Sequence, residues 1–214
     1  MEYSPVGSVE LESMLPVRVS QIKSKGFTVY MKLIGKNDKE LYLINHIKSS
    51  RWCTYICSTS KVKFSVEGED LYINDYYDTF VLKFVDEKVL NEELGKIGID
   101  IFSKKFSLKK WKDIVRNNTN KKISIMLSDQ KIIGGCSNYV KNEVLYYASV
   151  FPDRVVGEIP DEKLDKIFEG LIIVPRLIHN AKDYKLYPTP KYSDNISSTY
   201  NVIHITDDFL KKEN

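Results

Sequence analysis

The chain has 214 residues, 43% hydrophobic and 29% charged, with a formal net charge of +3. That length supports one large domain or two small ones with real cores. The balance excludes both a disordered chain and a polycationic coat, so any nucleic-acid affinity has to come from a local patch. Cys53, Cys57 and Cys136 match neither a disulfide nor a zinc framework, which points to a reducing, intracellular setting. The opening stretch MEYSPVGSVELESML shows no basic region followed by an apolar run, so secretion is not expected. The longest apolar stretch, Leu171 to Val174, is too short for a bilayer.

From Val17 to Phe84 the sequence reads as strands. Phe27 to Leu33 and Leu41 to Ile44 are rich in β-formers and are parted by the turn Gly35-Lys36-Asn37-Asp38. Val62, Phe64 and Val66 alternate with Lys61, Lys63, Ser65 and Glu67, the period of a half-buried strand. Leu71-Tyr72-Ile73 and Phe80-Val81-Leu82 complete the set. Together they predict an antiparallel β-sandwich over residues 1–94. After a break at Gly95 to Lys105 the period becomes helical. Ser107 is placed to cap a helix from Leu108 to Val115, ended by Asn117-Asn118. Lys122 to Asp129 predicts a second helix and Asn138 to Ala148 a third. Pro160 and Asp161 open a fourth, with Leu164, Ile167, Phe168, Leu171 and Ile172 on one face and Pro175 expected to kink or shorten it. Residues 95–182 thus read as a helical domain and 183–214 as an extended tail, with Tyr200 to Ile205 as a final strand. The expected fold class is α+β.

The window Asp129 to Arg154, DQKIIGGCSNYVKNEVLYYASVFPDR, carries the clearest chemistry. A glycine pair and Ser137-Asn138 stand where one helical pattern stops and the next starts. Small residues there let an anion approach main-chain N–H groups at a helix N-terminus. Asn138 is suited either to cap the following helix or to reach a phosphate with its amide. Lys121, Lys122 and Lys131 flank the loop and would supply salt-dependent attraction.

The order of residues resembles the helix–two-turn–helix element of the formamidopyrimidine-DNA glycosylase and endonuclease VIII family, G-x-G-N-I-Y-x-x-E-x-L-F followed by H-P-x-R. Gly135, Asn138, Glu143, Leu145, Tyr146, Pro152 and Arg154 fall in register, while Ser137 replaces a glycine and Val140 the tyrosine. Ile97 to Ser103 with Phe106 resembles the family's L-G-P-D-P-L-S…F linker, and PVRVSQIKSK from Pro16 to Lys25 its lysine-bearing hairpin. The strands through Asn45-His46 resemble its I-I-H-L-G-M segment. The resemblance implies a β-sandwich joined to a helical domain, with duplex DNA, damaged or abasic, held in the cleft between them. It also implies that Gly135, Ser137 and Asn138 hold a backbone phosphate, and that Lys25 is the hairpin lysine able to form a Schiff base with an opened sugar.

The departures argue for a reduced member. The chain begins Met-Glu-Tyr rather than Pro-Glu after Met removal, so the opening helix and its nucleophile are expected to be missing; the Met1 amine is a lesser substitute. Ser49, Tyr77, Asp78 and Thr79 stand where the family places side chains that fill the gap left by a flipped base. Ser124 replaces a phosphate-contacting lysine, and no C-x-x-C pair occurs in the tail, so no zinc finger is expected. No metal or cofactor is called for: His46, His179 and His204 lack ligand spacing. Glu143 reads as a helix-surface or capping carboxylate without a catalytic role. The expected function is duplex-DNA binding with lost or reduced glycosylase activity. The alternatives are residual abasic-site lyase activity through Lys25 and a fold retained for assembly.

Overall fold

The computed structural model describes residues 6–47, 50–66, 69–75, 77, 79 and 81–180. Phe80, Ser49, Asp78 and the tail, with its anticipated strand at Tyr200 to Ile205, lie outside the described residues. The chain forms two compact units, the first ending at Gly98 and the second beginning at Ile99.

The first unit opens with a helix, α1 (Ser8–Met14), although the opening helix is expected to be missing. Gly7 explains its start. With φ at +81° the chain turns off a short bridge between Val6 and Lys83, where Phe84 N–H donates to the Val6 carbonyl at 2.8 Å. A Cβ on Gly7 would stand 2.1 Å from the Phe84 carbonyl oxygen, so only glycine fits. Strands β1 (Arg18–Lys25), β2 (Thr28–Ile34), β3 (Glu40–His46) and β7 (Val81–Val85) form one antiparallel sheet in that order. Strands β4 (Ser50–Cys53), β6 (Glu69–Asp75) and β5 (Ser60–Val66) form a second.

Met14, Leu33, Leu41, Leu43, Ile73, Leu82 and Phe84 pack as one core drawn from both sheets and α1. Tyr42, Ile44 and Leu90 pack on the opposite face of β3, under α2 (Glu87–Gly95). Both faces of β3 are therefore covered, which accounts for its unbroken apolar run where a half-buried strand would alternate. Asn45 joins the sheets from within: Trp52 Nε1 donates to its Oδ1 at 3.0 Å and its Nδ2 donates to the Val81 carbonyl at 3.2 Å. Helix α2 is absent from the elements expected of the sequence, though its signal is local. Asp86 Oδ1 accepts from Val89 N–H at 2.8 Å, an ordinary N-cap.

The second unit begins with β8 (Ile99–Asp100), parallel to β9 (Ile133–Gly134), inside what reads from sequence as a break. Helices α3 (Leu108–Arg116), α4 (Ile123–Ser128), α5 (Asn138–Tyr147) and α6 (Asp161–Asn180) follow. Ser107 caps α3 as expected, accepting from Lys110 N–H at 3.4 Å. Trp111, Ile123, Met126, Val144, Ile167 and Leu171 are fully buried, and Trp111 Nε1 donates to the Leu164 carbonyl at 3.0 Å. The apolar stripe of α6 faces this core. Pro175 does not end the helix, which runs on to Asn180; the Arg176 guanidinium donates to the Ile172 carbonyl at 2.6 Å, satisfying a carbonyl in the turn that the proline ring disturbs.

Candidate nucleic-acid interface

The turn from α4 to α5 is pinned at several points of its main chain. Pairing of β8 with β9 anchors its middle, where Ile101 N–H donates to the Gly134 carbonyl at 3.1 Å. Gly135 then takes φ +85°, the left-handed region that disfavours side chains. Gln130 clamps the bend from within: its Oε1 accepts from Gly135 N–H at 2.9 Å and its Nε2 donates to the Cys136 carbonyl at 3.1 Å. Sequence reading misses Gln130, because its role depends on a return path that only the fold supplies. Cys136 is buried, and burial pushes its thiol up to about 12, so it is inert packing.

Ser137, not Asn138, caps α5. Its backbone is extended and its Oγ accepts from Val140 N–H at 3.1 Å, whereas Asn138 is already the first helical residue and cannot cap. The remaining N–H groups of that first turn have no acceptor within the helix. Asn138 is exposed, and its Oδ1 accepts from Lys141 Nζ at 3.0 Å; the same ammonium donates to Ser128 Oγ at 3.1 Å. With its oxygen engaged, the Asn138 amide presents Nδ2 as a donor. Sequence reading misses Lys141 too, since there it is one lysine among many.

The flanking lysines fare unequally. Lys131 is exposed on the turn, while its N–H donates to Asp129 Oδ1 at 3.0 Å. Lys121 Nζ lies 3.9 Å from Asp129, which ties it to the same turn. Lys122 Nζ lies 2.9 Å from Asp153. Both are exposed pairs of small energetic weight, open to exchange for another anion.

Glu143 is not the surface carboxylate expected. It is 6% exposed among Val140, Val144 and Leu145, and burial pushes its carboxyl up to about 7. Lys25 lies in the first unit, at the end of β1 beside the turn at Gly26. Its Nζ donates to the Leu94 carbonyl, in the last turn of α2, at 2.7 Å. His46 bonds Thr28 at 2.8 Å through Nδ1 and approaches Glu93 at 3.9 Å through Nε2, a structural role. The His179 side chain and His204 lie outside the described residues. Among the described residues no cluster of three or more His, Cys, Asp or Glu is placed to hold a metal. No helix among them is long and apolar enough to cross a membrane.

No protein-family model matches the chain. It is 29% identical over 110 residues to a formamidopyrimidine-DNA glycosylase of Cytobacillus firmus, covering 50% of this chain and 39% of that protein. It is 35% identical over 81 residues to one from Prochlorococcus marinus strain MIT 9301 (38% of this chain, 27% of that one). An endonuclease 8 of Enterobacter sp. strain 638 is 25% identical over 91 residues (42% and 35%). These matches span well under half the length of the relatives. Among solved structures, MutM (Fpg) from Thermus thermophilus superposes with a TM-score of 0.66 at 17% identity, covering 76% of this chain and 61% of that one. The Lactococcus lactis Fpg in complex with DNA containing an abasic site superposes at 0.68 and 20% identity (80% and 65%). The α+β architecture, antiparallel sheets followed by helices, is that of these proteins.

Proposed function

We infer, for a chain that belongs to the formamidopyrimidine-DNA glycosylase and endonuclease VIII family, that its second unit grips duplex DNA by a backbone phosphate at the Gly135–Asn138 loop. The observation that carries this reading is the placement of Lys141. A cation at a helix N-terminus is disfavoured by the helix dipole, yet Asn138 and Ser128 hold its ammonium there. The positive end of the helix dipole, the Asn138 amide and Lys141 together concentrate positive potential at one turn, which suits an anion. Lys121, Lys122 and Lys131 extend that potential along the flank.

We further infer that base-excision activity is lost or reduced. Lys25, the lysine matched to the family's hairpin position, gives its ammonium to a main-chain carbonyl in the last turn of α2, where a cation supports the fold. Two measurements separate the readings. Binding to an undamaged duplex over a salt series is expected to weaken with salt, and Asn138→Ala is expected to lower affinity by roughly tenfold. Undetectable wild-type binding at low salt would leave only an assembly role. Borohydride trapping on an abasic-site duplex is expected to give no adduct; an adduct abolished by Lys25→Ala would establish lyase activity instead.

A further inference from the structure

A second site lies on the later half of α5. A groove of about 790 Å³ runs between Asn142–Tyr147, the connection Ser149–Pro152 and Lys166 of α6. Glu143 lines it, and among the described residues no hydrogen bond or ion pair engages that carboxylate. The rim is aromatic: Tyr146 is 65% exposed and Phe151 79% exposed.

A buried, unpaired carboxylate is costly, and the cost falls when a cation joins it. Aromatic faces beside it attract cations through their quadrupoles. One carboxylate with no histidine or cysteine beside it is a poor metal site. A phosphate would be repelled. Between the two organic cations of proteins, guanidinium suits this groove better than ammonium, since it stacks flat on a ring while pairing bidentately with a carboxylate. An open groove of this size also admits the residues on either side of the side chain it captures. We propose that the groove binds an arginine side chain presented by a protein partner, its guanidinium paired with Glu143 and stacked against Tyr146 or Phe151. Lys166, exposed, is the one cation among the described lining residues. This site is independent of the phosphate loop, which lies at the other end of α5.

The test is a titration of the full chain, followed by amide chemical shifts, with acetyl-Gly-Arg-Gly-amide and its citrulline counterpart, which has the same shape without the charge. The arginine peptide is expected to shift residues 142–152 and Lys166 and to bind about tenfold more tightly than the citrulline one. Glu143→Gln should remove that preference, with thermal melting checking the fold. Phe151→Ala, at an exposed position where folding is spared, should weaken binding severalfold, and Asn138→Ala should leave it unchanged. Equal binding of the two peptides, or a preference that survives Glu143→Gln, overturns the site. Acetyl-arginine amide binding as tightly as the peptide would reduce it to a small-cation site, overturning the protein partner. A single-stranded oligonucleotide that shifts the same residues more strongly would make the rim a base-stacking surface instead.

Discussion

The first unit settles the charge of its candidate residue within its own fold, whereas helix α5 of the second unit carries two charges that its fold does not explain. In the first, charge is settled against its own fold: Lys25 meets the Leu94 carbonyl at 2.7 Å, Lys32 meets Glu40 at 2.6 Å and Lys63 meets Asp70 at 2.7 Å. Burial there pushes the Glu93 carboxyl up, but Lys83 and Lys96, each at 3.2 Å, outweigh it and hold the group below its ordinary value. In the second unit, Lys141 sits at the wrong end of a helix for a cation, and Glu143 is buried without a partner among the described residues. A charge that helps the fold is explained by the fold. One that burdens it calls for something beyond the described residues, and two such charges lie on α5.

The largest effect expected from breaking this contrast falls on the first unit and involves no charge. Gly7→Ala would set a Cβ against the Phe84 carbonyl oxygen at 2.1 Å while demanding a left-handed residue. Chemical denaturation should show a loss of about 3 kcal/mol or more in that unit, because the backbone cannot yield as a side chain does. The chemical shifts of α5 are expected to persist. Gly135→Ala, strained by about 1–2 kcal/mol at φ +85°, should cost less stability but remove duplex binding, because it re-aims the loop.

A smaller effect, and one with a sign, comes from Glu143. Its carboxyl is raised from the ordinary 4.5 to about 7, so between those values the folded chain keeps a proton that the unfolded chain has released. Stability from this group is therefore highest at acid pH and declines as pH rises through that window. Glu143→Gln should be insensitive to the window. The melting temperature of the variant should rise relative to wild type from pH 5 to pH 8. A constant difference would mean that the carboxylate is paired after all. Glu93 should behave oppositely, since its depressed carboxyl gives stability that is lost as pH falls.

Much of this architecture is legible in the sequence because the signals are local. Alternation at Val62, Phe64 and Val66, the Ser107 cap and the stripe of α6 each answer to neighbours a few residues away. The α5 loop is legible as an anion turn, but not which residue does what. Ser137 and Asn138 are both good caps, and only backbone geometry separates them. Gln130 and Lys141 gain their roles from the path of the chain around them. Glu143 departs from its surface reading because one helix places it among apolar neighbours, whose packing against other elements a single sequence does not reveal.

The smallest effects divide the two lysines most cleanly. Lys25→Met removes a cation that supports the carbonyl end of a helix, so the first unit should lose about 1 kcal/mol. Duplex affinity should stay within about twofold, since Lys25 belongs to the first unit, at the end of β1, and is not part of the phosphate loop. Lys141→Met relieves an unfavourable dipole interaction and releases Asn138, so stability should hold or rise by a few tenths of a kcal/mol. Duplex affinity should fall severalfold at low salt, and the slope of log affinity against log salt should shrink by about one. The two variants would then cross, one losing stability and keeping DNA, the other the reverse. If Lys141→Met lost stability and kept its salt slope, its ammonium would serve the fold as Lys25 does, and the phosphate reading of the loop would rest on Asn138 and the helix N-terminus alone.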